Sequence, residues 1–425
     1  MRRVADVLQD SDKLGAWMRE QRWFGAKAAD LSHFGVLDHV ELQDGLGCAL
    51  VEARFNSGVH DVYQLIVSGD DLDAEGGRTL VRMMQEQATA GGIRFHWTGA
   101  EPAPRGDASV RPMGAEQSNS TIVVGEALAL KVFRRLLPGD NPELEMLRFL
   151  TAHGFENIAP LAGWYEFDGE LLQATLGVLQ RFVADGRDGW GYALAEPDAF
   201  LDQVRDLGSV TGEMHSVLAS DHGDADFTPE EPGDDALGLL TATINEEIER
   251  AFFDLRDSDE AARPIMGRGE ELRDQLRALS HQSSGGRLIR HHGDYHLGQT
   301  LLTPRGWVVL DFEGEPARTL PERRRKRSPL RDAAGMLRSF AYVASASDTL
   351  PVDWEERARA SFLEGYYEAV DDVLLPAGRS AIDKLLAIHE LEKAVYELRY
   401  ELNNRPDWVG IPVSAIARLL DEPLD

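Results

Sequence analysis

One cysteine stands in 425 residues. Cys48, in the stretch GLGCALVEARF, has no partner for an intramolecular disulfide, and no thiolate metal cluster can form. In that apolar setting it reads as a small buried hydrophobe of a strand. Positive charge is scarce too: 44 Lys and Arg face 73 Asp and Glu, a formal net charge of −29. Such a field repels polyanions and anionic lipid, which excludes functions built on non-specific nucleic-acid or membrane-surface binding. No run approaches the ~18 uninterrupted apolar residues of a membrane span. The opening MRRVADVLQDSDKLGAW carries charges every few positions and no apolar core of a secretory leader. A cytoplasmic protein is the expectation. Internal repeats, low-complexity tracts and the glycine-rich G-x-G-x-x-G pattern are all missing.

What is present is an ordinary globular composition, 43% hydrophobic and 28% charged, over a length that calls for two or three sub-domains. After an opening helical stretch, residues 35–69 alternate apolar and polar positions between Gly, Asn and Asp, the pattern of an antiparallel meander. Residues 110–135 read as strand, turn, strand, a tight Gly-Glu turn, and strand. A helix follows, with Asn141 as N-cap and Pro142 at its first position. From about 196 onward helices dominate, interrupted by short strands expected at 287–292 and 306–311. A β-rich half is followed by a helical half.

The segment RLIRHHGDYHLGQTLL (287–302) crowds His291, His292 and His296 around Asp294, and WVVLDFEGEP places Asp311 directly after an apolar run. The strand TLLT, the turn PRG and the strand WVVLD form a hairpin whose flanking loops converge. Asp294, Gln299 and Asp311 then meet at one end. Two carboxylates with an amide suit magnesium and a nucleotide, because hard cations take oxygen ligands, and one aspartate can take the proton of an attacking hydroxyl. Two other readings stand beside this one: a turn aspartate bonding its own backbone, and a metal nest of His292, Asp294 and His296.

Lys131 is a lone cation in an alternating apolar strand, and Glu145 lies on the helix that follows. A strand lysine facing a helix carboxylate is how kinases hold the α- and β-phosphates of ATP. Gln117, Ser118 and Asn119 form a polar turn able to donate to phosphate. In GVLQRFVADGRDGW (177–190) an apolar strand leads into a hinge, whose backbone around Gln180 to Phe182 is expected to meet the adenine edge.

The block HHGDYHLGQTLLTPRGWVVLDFEGEPARTLPERRRKRSPLRDAAGMLRSFAYVA (291–344) closely resembles the actinobacterial maltokinases, including the kinase domains joined to trehalose synthases. These are related in fold to the aminoglycoside phosphotransferases. QRWFGAK, EQSNSTIVVGEALALKVFRRL, NPELE and LEKAVYELRYELNNRPDWVGIP extend the resemblance over nearly the whole chain. It implies an α+β, bilobal, eukaryotic-protein-kinase-like fold with a β-rich N-terminal cap (1–95), an intermediate sub-domain (96–183) and a helical C-lobe (184–425). It implies transfer of the γ-phosphoryl group of ATP to the anomeric hydroxyl of maltose, within α-glucan and glycogen metabolism. Asp294 would be the base, Gln299 and Asp311 the magnesium ligands, Lys131 the phosphate contact and Glu145 its orienter. Glu313 would reach a second metal or a water. The partners implied are ATP and a small sugar, with no nucleic acid or membrane, a monomer or weak homodimer, and functional coupling to a trehalose synthase. Another sugar such as glucosamine, or an aminoglycoside, is the alternative acceptor. A metallohydrolase and a silent sugar sensor are the rivals outside the class.

In EKAVYELRYELNNRPDW the pairs Tyr396/Tyr400 and Glu397/Glu401 each share a helix face. The resemblance places this helix at the sugar pocket, with Glu397, Tyr400, Glu401, Arg405 and, from the catalytic loop, His296 as the substrate set. The basic run Arg323 to Arg327 is expected to pair with acidic neighbours, and Asp332 to brace the catalytic loop.

Overall fold

The computed structural model describes residues 7–421 apart from 28, 69–70, 115–117, 171, 234, 257–258, 283–284, 317 and 348. Gln117 therefore lies outside the described residues. The chain divides between Asp185 and Gly186 into two compact units.

The first unit runs through α1 (Ser11–Glu20), β1 (Leu31–Glu41), β2 (Gly47–Phe55), β3 (His60–Val67), α2 (Ala74–Gln85), β4 (Thr89–Ala90) and β5 (Ile93–Trp97). It continues with β6 (Val110–Pro112), β7 (Ser120–Val124), β8 (Leu128–Val132), β9 (Arg135–Leu136), α3 (Pro142–Ala152), β10 (Leu161–Asp168) and β11 (Gln173–Arg181). Two sheets result, one in the order β1-β2-β3-β9 and one in the order β4-β5-β10-β11-β8-β7-β6. Asp10 caps α1 by accepting from the backbone N–H groups of Asp12 and Lys13. Trp17, Trp23, Phe24, Phe34 and Tyr63 gather in the core between α1 and the first sheet. The turn from β7 to β8 runs through Gly125, Glu126 and Ala127, the first two at positive φ (63° and 52°), and the Ala127 N–H closes it on the Val124 carbonyl (3.2 Å).

Gln64 of β3 joins the two sheets. Fully buried, it donates to the carbonyls of Phe133 (2.9 Å) and Leu176 (2.8 Å) and accepts from the Tyr165 hydroxyl (2.8 Å). A buried amide is tolerable only when its donors and acceptor are met, and here they are. Cys48 packs beside it, and burial pushes its thiol up to about 12.

The second unit is mostly helical: β12 (Arg187–Asp188), α4 (Gly189–Ala195), α5 (Pro197–Leu218), α6 (Ala236–Asp254), α7 (Gly269–Gln282), β13 (Thr300–Thr303), β14 (Gly306–Val309) and α8 (Leu320–Arg323). It ends with α9 (Leu330–Ala346), α10 (Trp354–Ala369), α11 (Arg379–Asn404) and α12 (Gly410–Asp421). Helices α5 and α10 approach until a Cβ on Gly208 would stand 2.0 Å from the Phe362 carbonyl oxygen, so glycine alone fits there. The strand expected at 287–292 is reduced to single bridges, Leu288 with Glu230 and Ile289 with Arg327, because its backbone pairs with two loops instead of a strand. Those loops are the acidic 220–235 segment and the basic run, which partner each other. Lys326 Nζ donates to Glu230 (2.7 Å) and to the carbonyls of Ala225 and Thr228, and Arg324 meets Asp226 at 3.5 Å. No helix among the described residues is long and apolar enough to cross a membrane.

Candidate active site

In the first unit, Lys131 sits on β8, 9% exposed, its Nζ 2.8 Å from Glu143 Oε2. The other oxygen of that carboxylate accepts from Gln180 Nε2 of β11 at 3.0 Å. Glu143 thus takes the contact expected of Glu145. Helix α3 is capped by Asn141, which accepts from the Glu143 N–H, and starts at Pro142. Residues two apart on a helix point about 200° away from each other. Glu143, 2% exposed, shares the buried stripe of Met146, Leu147 and Leu150, whereas Glu145 is half-buried.

Gln180 is accordingly a side-chain brace. The backbone expected to meet adenine is largely committed: Arg181 N–H donates to Pro160 and Phe182 N–H to Ala127. The Phe182 ring lies under Arg111, 5.3 Å from its guanidinium carbon. The first amides after β11 without a bond among the described residues are those of 183–185. Ser118 is exposed, and Asn119 accepts from the Arg134 N–H at 3.4 Å.

In the second unit the hairpin β13–β14 places Gln299 against Asp311, with Leu310 N–H donating to Gln299 O (2.9 Å) and Gln299 Nε2 to Asp311 Oδ2 (3.3 Å). Asp311 sits at φ 61°, a left-handed conformation that costs a non-glycine residue energy and concentrates at functional turns. Half-buried Glu313 follows. His292 ties this end to the preceding loop: its Nε2 donates to Leu310 O (2.8 Å) and its Nδ1 accepts from Asp294 N–H (3.3 Å). Both ring nitrogens are spent, so His292 is not a metal ligand and the histidine nest is not formed.

His296 accepts from Gly298 N–H, and burial lowers its pKa, keeping the ring neutral. Asp332 on α9 grips the loop from below, accepting from His292 N–H (2.7 Å), Gly293 N–H (3.0 Å) and His215 Nε2 (3.2 Å). Burial works against its charge, but the neighbouring histidines outweigh it and hold the carboxyl far below the usual range.

The Asp294 carboxylate meets Lys393 of α11 at 3.4 Å, and Lys393 also donates to Glu315 at 3.0 Å. Neither Lys393 nor Glu315 figured in the expected site. Glu315 further accepts from Arg318 and Arg331, both at 3.1 Å. Burial pushes its carboxyl up, yet Arg331 and Lys393 bring it down to about 2. Beside this group lies a cavity of about 250 Å³, to which α11 contributes His389, Glu392, Lys393, Tyr396 and Arg399. The helix named in the sequence therefore does line a cavity, by a different face.

Glu397, Tyr400, Glu401 and Arg405 are not among that cavity's lining residues. Glu397 is spent on Arg338 of α9 (2.7 Å), and Glu401, 1% exposed, on Tyr342 (2.9 Å) and Arg405 (2.6 Å). Arg405 lies over both Tyr400 and Trp408. These residues clamp α11 to α9 and cap its end.

Comparison with known proteins agrees with this architecture. Residues 109–314 match the phosphotransferase enzyme family, and residues 17–93 match the maltokinase N-terminal cap domain. A glucosamine kinase of Mycolicibacterium smegmatis is 26% identical over 83% of this chain and 98% of its own. One of Streptacidiphilus jiangxiensis is 27% identical over 77% of this chain and 76% of its own. Among solved structures, a glucosamine kinase in complex with glucosamine, ADP and inorganic phosphate superposes with a TM-score of 0.72 at 20% identity, covering 95% of this chain and 98% of that one. A second crystal form of glucosamine kinase gives 0.73 at the same identity and the same coverage. The fold is the kinase-like one expected. Residues 109–314 thus carry the pattern of the phosphotransferase enzyme family, behind a segment, 17–93, with the pattern of a maltokinase-type N-terminal cap.

Proposed function

We propose that the protein is an ATP-dependent sugar kinase that phosphorylates maltose at its anomeric hydroxyl, giving maltose 1-phosphate. The observation that carries the choice of acceptor is the charge state of the cavity beside Asp294. Its three carboxylates are already paired: Glu315 as above, Glu247 with Arg399 (2.5 Å), and Glu392 with His389 (3.2 Å) and Arg331 (3.5 Å). Against them stand Arg318, Arg331, Lys393 and Arg399. No carboxylate there awaits an ammonium group, so a neutral acceptor fits better than an amino sugar. The volume is below the roughly 300–1,000 Å³ of pockets that enclose drug-sized ligands, which suits one sugar ring with a second extending outward. The maltokinase-type cap supports the same choice. The glucosamine kinases among the relatives support the alternative acceptor.

In the mechanism, Asp294 accepts the proton of the attacking hydroxyl as its oxygen bonds the terminal phosphorus and the bond from that phosphorus to the bridging oxygen breaks. His292 and Asp332 fix the loop that aims Asp294, so orientation costs nothing at the moment of reaction. Lys131, held by Glu143, which Gln180 braces in turn, binds nucleotide phosphate, with Ser118 and Asn119 as further donors. The carboxylates of Asp311 and, adjoining it, Glu313 offer oxygen donors that fit magnesium, and Gln299 would add its amide oxygen with the amide turned over from its present bond to Asp311. Bound there, the ion would neutralise phosphate charge.

An ATP-consumption screen over maltose, glucose, trehalose and glucosamine, with the product read by phosphorus NMR, tests the reading. Maltose should show the highest kcat/KM and a phosphate coupled to the anomeric proton. A higher kcat/KM for glucosamine, or phosphate on a primary hydroxyl, would overturn it.

A further inference from the structure

The geometry points to Lys393 as a positioning residue of the transfer step, holding Asp294 in place and presenting its remaining N–H to the acceptor hydroxyl. This rests on the reading of Asp294 as the base. Lys393 shares one face of α11 with His389 and Tyr396, four residues before and three after, and lines the cavity. An ammonium group has three donors. One goes to Asp294 Oδ1 and one to Glu315 Oε1, and no third acceptor stands among the described residues.

The charges say where its influence falls. Glu315 is balanced by two guanidinium groups without the lysine, so the lysine's charge is left for Asp294 and for whatever oxygen Asp294 deprotonates. Holding a half-buried lysine in one place costs rotamer freedom and desolvation. Tyr396 helps by placing its ring 5.7 Å from Nζ. Glu315 and Asp294 together raise the lysine's pKa against the pull of burial, so it stays charged.

A cation beside the base weakens it as a proton acceptor and stabilises the sugar oxygen that is losing its proton. Phosphoryl transfer proceeds through a loose transition state in which catalysis is mostly positioning and charge stabilisation, so the lysine acts by aiming Asp294 and the acceptor hydroxyl.

The test compares Lys393→Met, Lys393→Gln and Lys393→Arg with the unaltered enzyme, with maltose and glucosamine assayed in parallel. Lys393→Met should lower kcat about 10²–10³-fold, the usual loss for one aimed donor, with the ATP KM moving less than about threefold. Lys393→Gln keeps hydrogen bonding without charge and should lose as much. Lys393→Arg should recover about tenfold of the loss. A lysine that merely tethered two loops would lower the thermal midpoint and leave the kcat of the folded enzyme alone. A folded Lys393→Met or Lys393→Gln enzyme with kcat within about threefold of the parent overturns the proposal. Asp294→Asn separates the two layers: if it too retains turnover, the base assignment falls, and if it alone is inactive, only the lysine's role does.

Discussion

Glu143 and Glu145 stand two residues apart in NPELE, and the helix turns them to different surroundings. Composition could not choose between them, but periodicity could: Glu143, Met146, Leu147 and Leu150 form an i, i+3, i+4, i+7 stripe, and an acid on a buried stripe needs a buried cation. The same reasoning applied to α11 gives His389, Glu392, Lys393 and Tyr396. The pairs Tyr396/Tyr400 and Glu397/Glu401 drew attention by residue type, whereas the cavity follows the stripe. The expected consequence is unequal. Glu143→Gln removes a charge-assisted bond of about 1.5–3 kcal/mol and should lower kcat/KM for ATP roughly ten- to hundredfold. Glu145→Gln should stay within about threefold. Steady-state kinetics with ATP varied decides it, and equal effects would restore Glu145 to the lysine.

At the scale of elements, the loop of His291, His292 and Asp294 is held by a helix that begins nearly forty residues later. The sequence indicated that brace, because Asp332 stands in the first turn of its helix and, six residues before Arg338, faces a different way. The 287–292 strand misled for a physical reason: an apolar run reads the same whether its backbone meets a strand or two loops. His291 gives this element a measurable signature. It is 6% exposed, and neither ring nitrogen finds a partner among the described residues. Burial, helped by Arg331 and Arg327 and opposed by Asp332, lowers its pKa to about 3. Below the ordinary value of ~6.5 the unfolded chain binds a proton that the folded chain refuses down to about 3. Stability should therefore fall as pH drops through that window, by up to about 1.4 kcal/mol per pH unit from this group. Urea midpoints at pH 7.0, 6.0 and 5.0 should fall less steeply for His291→Gln than for the parent, and parallel slopes would remove His291 as the cause.

For the whole molecule, a formal charge of −29 sets the terms. Self-repulsion on this scale opposes the folded state, and salt screens it over a Debye length of ~10 Å at 0.1 M. Many exposed ion pairs work the other way, but each is worth only about 0–1 kcal/mol. The thermal midpoint should rise by ~2–4 °C, the equivalent of about 1 kcal/mol in units of this size, between 0.02 and 0.3 M sodium chloride. A falling midpoint in differential scanning fluorimetry would show that the ion pairs dominate. The division into a β-rich and a helical half was legible from alternation and helical spacing, since those periods reflect which faces are buried. The join between the two sheets was not, because a single glutamine in a strand carries no pattern. That join has a consequence for anyone rebuilding the enzyme. Excising the cap would take the amide from the Phe133 carbonyl, leave the Leu176 carbonyl with the Phe133 N–H alone, and open that apolar seam to water. Grafting a cap from a relative would have to bring an equivalent amide with it, so this region can be exchanged only as a matched part.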